Sequence, residues 1–503
     1  MNENMNANMN MNMNANMNMN MNAGVHANRN ANEIAENQRK MNAKAAETFR
    51  WLGLPTGIYA LLYTVCLYNN FSSITMPVFV VITLGYVFYL YRSLQDRAFS
   101  IFCMAGMLLL GISTACTGST ALLWMNNAGI FLLLVTMLLC QCCDTKRWTL
   151  SKGFLGIAQA VFGAVGEMGE PFTDLSCYRK AQAGKRSSKT IYILVGVGIS
   201  VPLLAVILVL LYYADAVFAN LIDTVFSPGA HAGTAFGVTC TFFYAFFAAY
   251  CGLRYLHLGR ISSECRDYRR FEPLVANTVL TLVAAVYLVF SLIQILYLFW
   301  GGMELPGGYT YAAYAREGFF QLLFVCILNV MIVLFFMGLF RESRYKNVML
   351  TVISLCTYIM LASSAMRMCL YVQAYQLTFL RIFVLWMLAL IAIFLAGVLA
   401  SVYRKDFPVF RYTVIVVTIC TLCFTCAHPD YWIARYNLAG GEVRDTDYLT
   451  RLSTDAAPAI AGQEGEWVAE YAGELEDELA AGGLCYNFSR ARARKLLADD
   501  LAE

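Results

Sequence analysis

Cys420, Cys423 and Cys426, with His428 two positions on, form the densest group of metal-capable side chains in this 503-residue sequence. Thiolates and imidazole at short spacing are what a zinc or cluster site needs. On a helix, however, each three-residue step rotates the side chain by about 60°. The run cannot close a tetrahedron by itself, and it lies in an apolar stretch, so small-residue packing is expected. Cys140, Cys142 and Cys143 end another apolar run, where S-palmitoylation is the available chemistry. His26, His231, His257 and His428 are too scattered for a zincin motif. In the leader, Met9, Met11, Met13, Met17, Met19 and Met21 offer soft thioethers of the kind Cu(I) accepts. Their strict alternation with Asn reads as repeat expansion, so no metal and no cofactor is expected. No G-x-x-x-x-G-K-[ST] occurs, nor a G-x-G-x-x-G after a strand, and no nucleic-acid partner is expected.

The next residues with chemical potential are charges beside hydrocarbon, which are expensive there. Asp215, Glu317, Arg367 and Arg381 all fall near the ends of apolar runs on one side of the membrane. Arg367 and Arg381 are expected within reach of a carboxylate, Glu317 or Asp215, in a cluster that could shape a cavity mouth. Within the runs the polar groups are neutral: Asn126, Asn127, Asn277, Gln294 and Asn329. No carboxylate sits at mid-bilayer depth to carry protons, and no nucleophile–base pair can be assembled.

The elements that must position these groups follow from composition. The chain is 59% hydrophobic and 14% charged, against roughly half and a quarter in soluble domains. Its apolar runs approach the roughly 20 residues that cross a bilayer as helix. The spans are 51–68, 74–91, 99–117, 121–143, 191–213, 236–256, 273–300, 319–340, 348–371, 380–402 and 412–427, with the third and fourth alternatively a tight hairpin. Alternate connections carry 26 Lys/Arg on one side against three on the other. The positive-inside rule then puts the N-terminus in the cytoplasm and the C-terminus outside. No secretory signal peptide is apparent, and the first span would act as an uncleaved anchor.

Three regions do not span. Residues 1–48, with Asn at every even position from Asn2 to Asn22 and Met, Ala or Glu between, read as a disordered leader. In the cytoplasmic segment 144–190, Phe154, Leu155, Ala158, Val161, Phe162 and Val165 form one helical stripe, too short to cross, which predicts an interfacial helix over 152–166. Arg179, Lys180, Lys185, Arg186 and Lys189 follow, a cluster suited to anionic lipid. Residues 429–503 hold seven Lys/Arg against fifteen Asp/Glu, a net charge of −8. Short helices are expected there around 446–452, 466–480 and 489–499. The whole is an all-α polytopic transmembrane bundle of about eleven spans, 49–428, with a small helical extramembrane tail.

Two stretches carry a resemblance. One is Tyr375-Gln376-Leu377-Thr378-Phe379-Leu380-Arg381-Ile382-Phe383-Val384-Leu385-Trp386. The other is Pro429-Asp430-Tyr431-Trp432-Ile433-Ala434-Arg435-Tyr436-Asn437-Leu438, where His428 replaces the Asn of an N-P-D-x-x-I-A-R-Y-N pattern. Both resemble bacterial multi-pass proteins catalogued as domain of unknown function 4173, a relative of 4153. Asp447-Tyr448-Leu449, Leu452-Ser453-Thr454-Asp455-Ala456 and Asn487-Phe488-Ser489-Arg490 continue the likeness. The resemblance implies a bacterial membrane setting and no particular activity. Arg435, Tyr436 and Asn437, just outside the last span, are its candidate functional residues; the alternative is that Arg435 and Asn437 cap and pin the tail to the span ends. The expected function is a non-enzymatic envelope sensor, scaffold or accessory subunit, with another envelope protein as the partner its tail would meet. The alternative is a secondary transporter or lipid-handling protein with a cavity between helices.

Overall fold

Apolar residues at helical spacing, with few Gly or Pro breaks, leave the chain one way to satisfy its backbone in lipid, and it takes it. The computed structural model describes residues 2–182, 231–262, 269–296, 319–404, 406–440, 445–480 and 483–498, with scattered positions between 200 and 218. Among them the only β pairing is an isolated bridge between Phe271 and Phe340. Seven helices are long and apolar enough to cross a membrane, and the protein is an all-α membrane bundle.

The long helices, in chain order, are α1 (Asn2–Leu67), α2 (Thr75–Leu90), α3 (Arg97–Cys116), α4 (Thr120–Cys142), α5 (Leu150–Gly166), α6 (Glu170–Gln182) and α7 (His231–His257). They continue with α8 (Pro273–Gln294), α9 (Phe319–Leu339), α10 (Arg344–Tyr375), α11 (Phe379–Tyr403) and α12 (Val409–Cys426). The seven are α3, α4 and α8 to α12. Of the other expected spans, 51–68 is the end of α1, 74–91 is the 16-residue α2, and 236–256 lies inside α7. Most of 191–213 lies outside the described residues. In the structure α1 begins at Asn2, so the stretch read as a leader is continuous with the first span. Growth from an existing helix avoids the nucleation cost, and Met and Ala favour the helix that Asn only mildly opposes.

Two compact units divide the chain: Met1–Leu61 with Gly163–Tyr255, and Leu62–Phe162 with Leu256–Glu503. In the first, Phe49 packs its ring 5.5 Å from Tyr178 and 6.2 Å from Tyr250. In the second, α3 and α4 form a hairpin, α12 packs on both, and α8 to α11 bury Leu280, Val333, Leu350, Ile353 and Val398 together. Mid-span polar groups bond one another: Asn329 Nδ2 to Thr357 Oγ1 at 3.0 Å, Ser363 Oγ to Gln294 Oε1 at 2.6 Å, and Asn126 Nδ2 to Ser113 Oγ at 3.1 Å. Such bonds hold helices together in lipid, where association gains little from burial of apolar surface.

After α12 the chain folds back into short helices: α13 (Pro429–Leu438), α14 (Thr446–Thr450), α15 (Ala457–Ile460), α16 (Glu466–Glu474), α17 (Glu476–Ala480) and α18 (Phe488–Leu496). They enclose a core of their own, including Ile433, Leu449, Ile460, Val468, Tyr471, Leu475 and Leu497. Leu377, Phe379 and Ile382, from the α10–α11 turn, pack into that same core. This tail is a cap seated on the span ends.

Candidate functional site

The cap is held by buried polar side chains that bond the bundle. Asp455, 6% exposed, is the centre. Its Oδ2 accepts from Thr117 Oγ1 at 2.5 Å and faces His428 Nδ1 at 3.1 Å. Its Oδ1 accepts from the Gly118 backbone N–H at 2.8 Å and from Ser489 Oγ. Thr117 and Gly118 are the α3–α4 turn, so one carboxylate joins a loop of the bundle to three segments of the cap. Gly118 is required for that approach: a Cβ there would lie 2.0 Å from Thr454 Oγ1.

Asn487 makes a second joint. Its Oδ1 caps α18 by accepting from the Ser489 and Arg490 N–H groups at 2.9 and 3.3 Å. Its Nδ2 donates to the carbonyls of Ser72 at 2.6 Å, Thr117 at 3.0 Å and Thr114 at 3.3 Å. Asn437 grips the Leu377 backbone on both sides, accepting from its N–H and donating to its carbonyl, each at 2.9 Å. Tyr448 Oη accepts from the Phe379 N–H at 2.8 Å, and Tyr486 O from the Ile74 N–H at 2.9 Å.

Burial and bonding pull two carboxyls apart. Burial pushes the Asp430 pKa above the usual carboxylate range, and hydrogen bonds from Ser453 and Ser119 only partly offset it. Burial opposes the charge on Asp455 too, but donors from His428, Ser489, Thr117 and Gly118 outweigh it and hold its pKa below the ordinary value. The bond to Asp455 raises the pKa of His428 despite partial burial. A cavity of about 370 Å³ adjoins, lined by Ser119, Asp430, Tyr448, Arg451, Glu474 and Glu478 among others. The site thus sets a carboxyl whose ionisation burial opposes beside one whose ionisation its donors favour. Ser453 and Ser489 spend their hydroxyl protons on Asp430 and Asp455.

The residues singled out in the sequence meet different fates. Asn437 does pin the cap. Arg435 stays on α13, with Nη1 donating to Tyr431 Oη at 3.0 Å and its guanidinium 5.7 Å from the Trp432 ring centre; Tyr436 is exposed. Among the described residues, Arg381 pairs with no carboxylate. It donates to the Tyr375 carbonyl at 2.6 Å and to that of Gln376, and lies 4.4 Å from the Tyr371 ring centre. The C-terminus of α10 supplies carbonyls with no intrahelical donor, and a cation there satisfies them and the helix dipole together. Arg367 is 7% exposed within α10. Glu317 lies outside the described residues. Asp215 accepts from the Val217 and Phe218 N–H groups at 2.7 and 3.3 Å, a bond within its own turn.

Sequence reasoning missed Asp455, Asp430 and Asn487 as the joints, although the motifs contain all three. The signal was a carboxylate set in Asp455-Ala456-Ala457-Pro458-Ala459-Ile460, an apolar run that no exposed Asp requires. It also missed a cluster in the first unit. Arg254 donates from Nε to Asp174 at 2.8 Å, from Nη2 to Glu170 at 2.8 Å, and from Nη1 to Glu167. Tyr250 Oη donates to the same Asp174 at 2.9 Å. Glu170 and Asp174 lie one turn apart on α6, and Glu167 is in the turn just before it.

No curated protein and no solved structure matches the chain. A family model matches residues 78–463, from α2 into the cap, well over half the chain. The chain therefore belongs to the family described as Domain of unknown function (DUF4153), the relative of the family its motifs resemble.

Proposed function

We propose that the protein is an assembly element of the cell envelope, a scaffold or accessory subunit whose spans present the cap to another protein. One observation carries the reading: Asp455, Asn487 and Asn437 lock the cap onto three separate connections of the bundle. A module held this way is a rigid surface, and rigidity lowers the ordering cost of docking. Its exposed face is acidic, with Glu464, Glu466, Glu470, Glu474 and Glu476 all at the surface, which suits a partner with basic side chains. Asn329 and Gln294 are used in bonds between helices, which favours this reading over transport through the bundle.

Native electrophoresis of gently solubilised membranes tests it. The full chain should migrate in a complex larger than the monomer. Asp455→Ala should release it while the spans remain inserted. A monomeric wild type, unchanged by that substitution, contradicts the reading.

A further inference from the structure

α5 is built inside out for a soluble helix. Gly153, Gly156 and Ala160 lie within an arc of about 60° and are the residues it buries. A Cβ on Gly153 would lie 2.0 Å from the Phe410 ring, and one on Gly156 would lie 2.7 Å from the Trp148 ring. The helix turns its smallest residues to the protein. Its bulky stripe is on the opposite side: Phe154 is 63% exposed, Leu155 52% and Phe162 74%. Ala158 and Val161 lie on the same stripe.

Such a face is unfavourable in water, and its neighbours say what covers it. Phe410, against which Gly153 rests, is the second residue of the span α12, so α5 starts at the depth where a span enters the bilayer. Seventeen residues reach about 25 Å at 1.5 Å per residue, short of the roughly 30 Å hydrocarbon core. No acidic residue occurs in α5, whereas Lys152 lies in its first turn and Lys146 and Arg147 just precede it. Lys152 sits 5.6 Å from the Trp148 ring centre, an aromatic–cation pair of the kind found at headgroup level.

We infer that α5 is an interfacial helix, its Phe154–Phe162 stripe among the upper acyl chains and Lys146, Arg147 and Lys152 on the phosphates of anionic phospholipid. The inference goes beyond the assembly role, which rests on the cap and stands or falls separately. Apolar burial and charge attraction act together in such binding, each basic residue near an anionic surface adding a favourable increment.

A photoreactive phenylalanine analogue placed at 154 and at 162 tests it in the full-length protein. The protein is reconstituted in nanodiscs of phosphatidylcholine, alone or mixed with phosphatidylglycerol. Position 124, a span residue 72% exposed, is the control for lipid contact. Lipid adducts should form at 154 and 162 as at 124. In the mixed discs phosphatidylglycerol should exceed its bulk share at least twofold among adducts at 154. Lys146→Gln with Lys152→Gln should remove that excess and leave the adducts. Adducts to protein instead of lipid, in nanodiscs or in native membranes, overturn the inference in favour of a protein partner, and an absence of adducts overturns it in favour of water. A bulk-level share of phosphatidylglycerol in the wild type overturns the assignment of anionic headgroups.

Discussion

Asp455 shows at residue scale why a buried charge is tolerated: four groups share the cost of its desolvation. Asp455→Ala leaves Thr117, Gly118 and Ser489 donors without an acceptor, and removing one partner of a buried charged pair costs about 3–5 kcal/mol. The cap should melt earlier by that amount in urea titration of the reconstituted protein. Asn437→Ala forfeits only the grip on Leu377, about 1–3 kcal/mol. His428 also explains a departure from the motif. Its φ of +49° is left-handed, a region where Asn is the commoner choice and His is also enriched. The His428–Asp455 bond makes cap stability depend on pH in a defined way. His428 has a raised folded pKa, so its contribution is complete below its unfolded value and is lost as pH rises through the folded one. Asp455 has a lowered pKa, so its contribution is complete above its unfolded value and is lost as pH falls through the folded one. Asp430 disfavours ionisation, and Arg492 opposes the charge on His428. Cap stability should therefore peak in mildly acidic buffer and fall on the alkaline side. His428→Gln should abolish most of the alkaline fall, and circular dichroism melts across pH read it directly.

At the scale of elements, the spans were legible because apolar runs of that length have one stable form in lipid. α3, α4 and α8 to α12 begin and end within a few residues of the expected limits. The helix in 152–166 was legible for the same reason, since its stripe repeats at 3.6 residues. The joints were not legible. Whether a polar residue faces solvent or a distant loop depends on tertiary contact, and Asn487 reaches carbonyls 370 to 415 positions away. Charge and side alone suggested a carboxylate for Arg381, whereas the carbonyls it bonds lie at the end of α10, nearby in sequence. The acidic face of α6 was readable by spacing, and its role can be tested. Arg254→Met leaves Glu167 and Asp174 buried without their cation, costing about 3–5 kcal/mol. Trypsin cleavage after Arg179 or Lys180 should then quicken severalfold, with the cap unaffected. Unchanged cleavage would show that the cluster does not hold α6.

The whole molecule gives the charge reading a geometric counterpart. Within the second unit, Ser72, Thr117 and Leu377 come from the three connections assigned to the outer side, and all three bond the cap. Asp96, Thr145 and Arg411 come from Lys/Arg-rich connections and bond one another instead. Reporter fusions at residues 30 and 470 should accordingly give cytoplasmic and exterior signals; a cytoplasmic signal at 470 would reverse the assigned sides. Amide hydrogen exchange of the full chain in nanodiscs measures most directly whether the tail is a cap locked to the span ends. Exchange should be slow in α13, α16 and α18 of the wild type. Asp455→Ala should speed exchange there and in the 117–119 turn together, with α10 and α11 unchanged at mid-span. Rapid exchange throughout 429–496 in the wild type, or no response to Asp455→Ala, would contradict it.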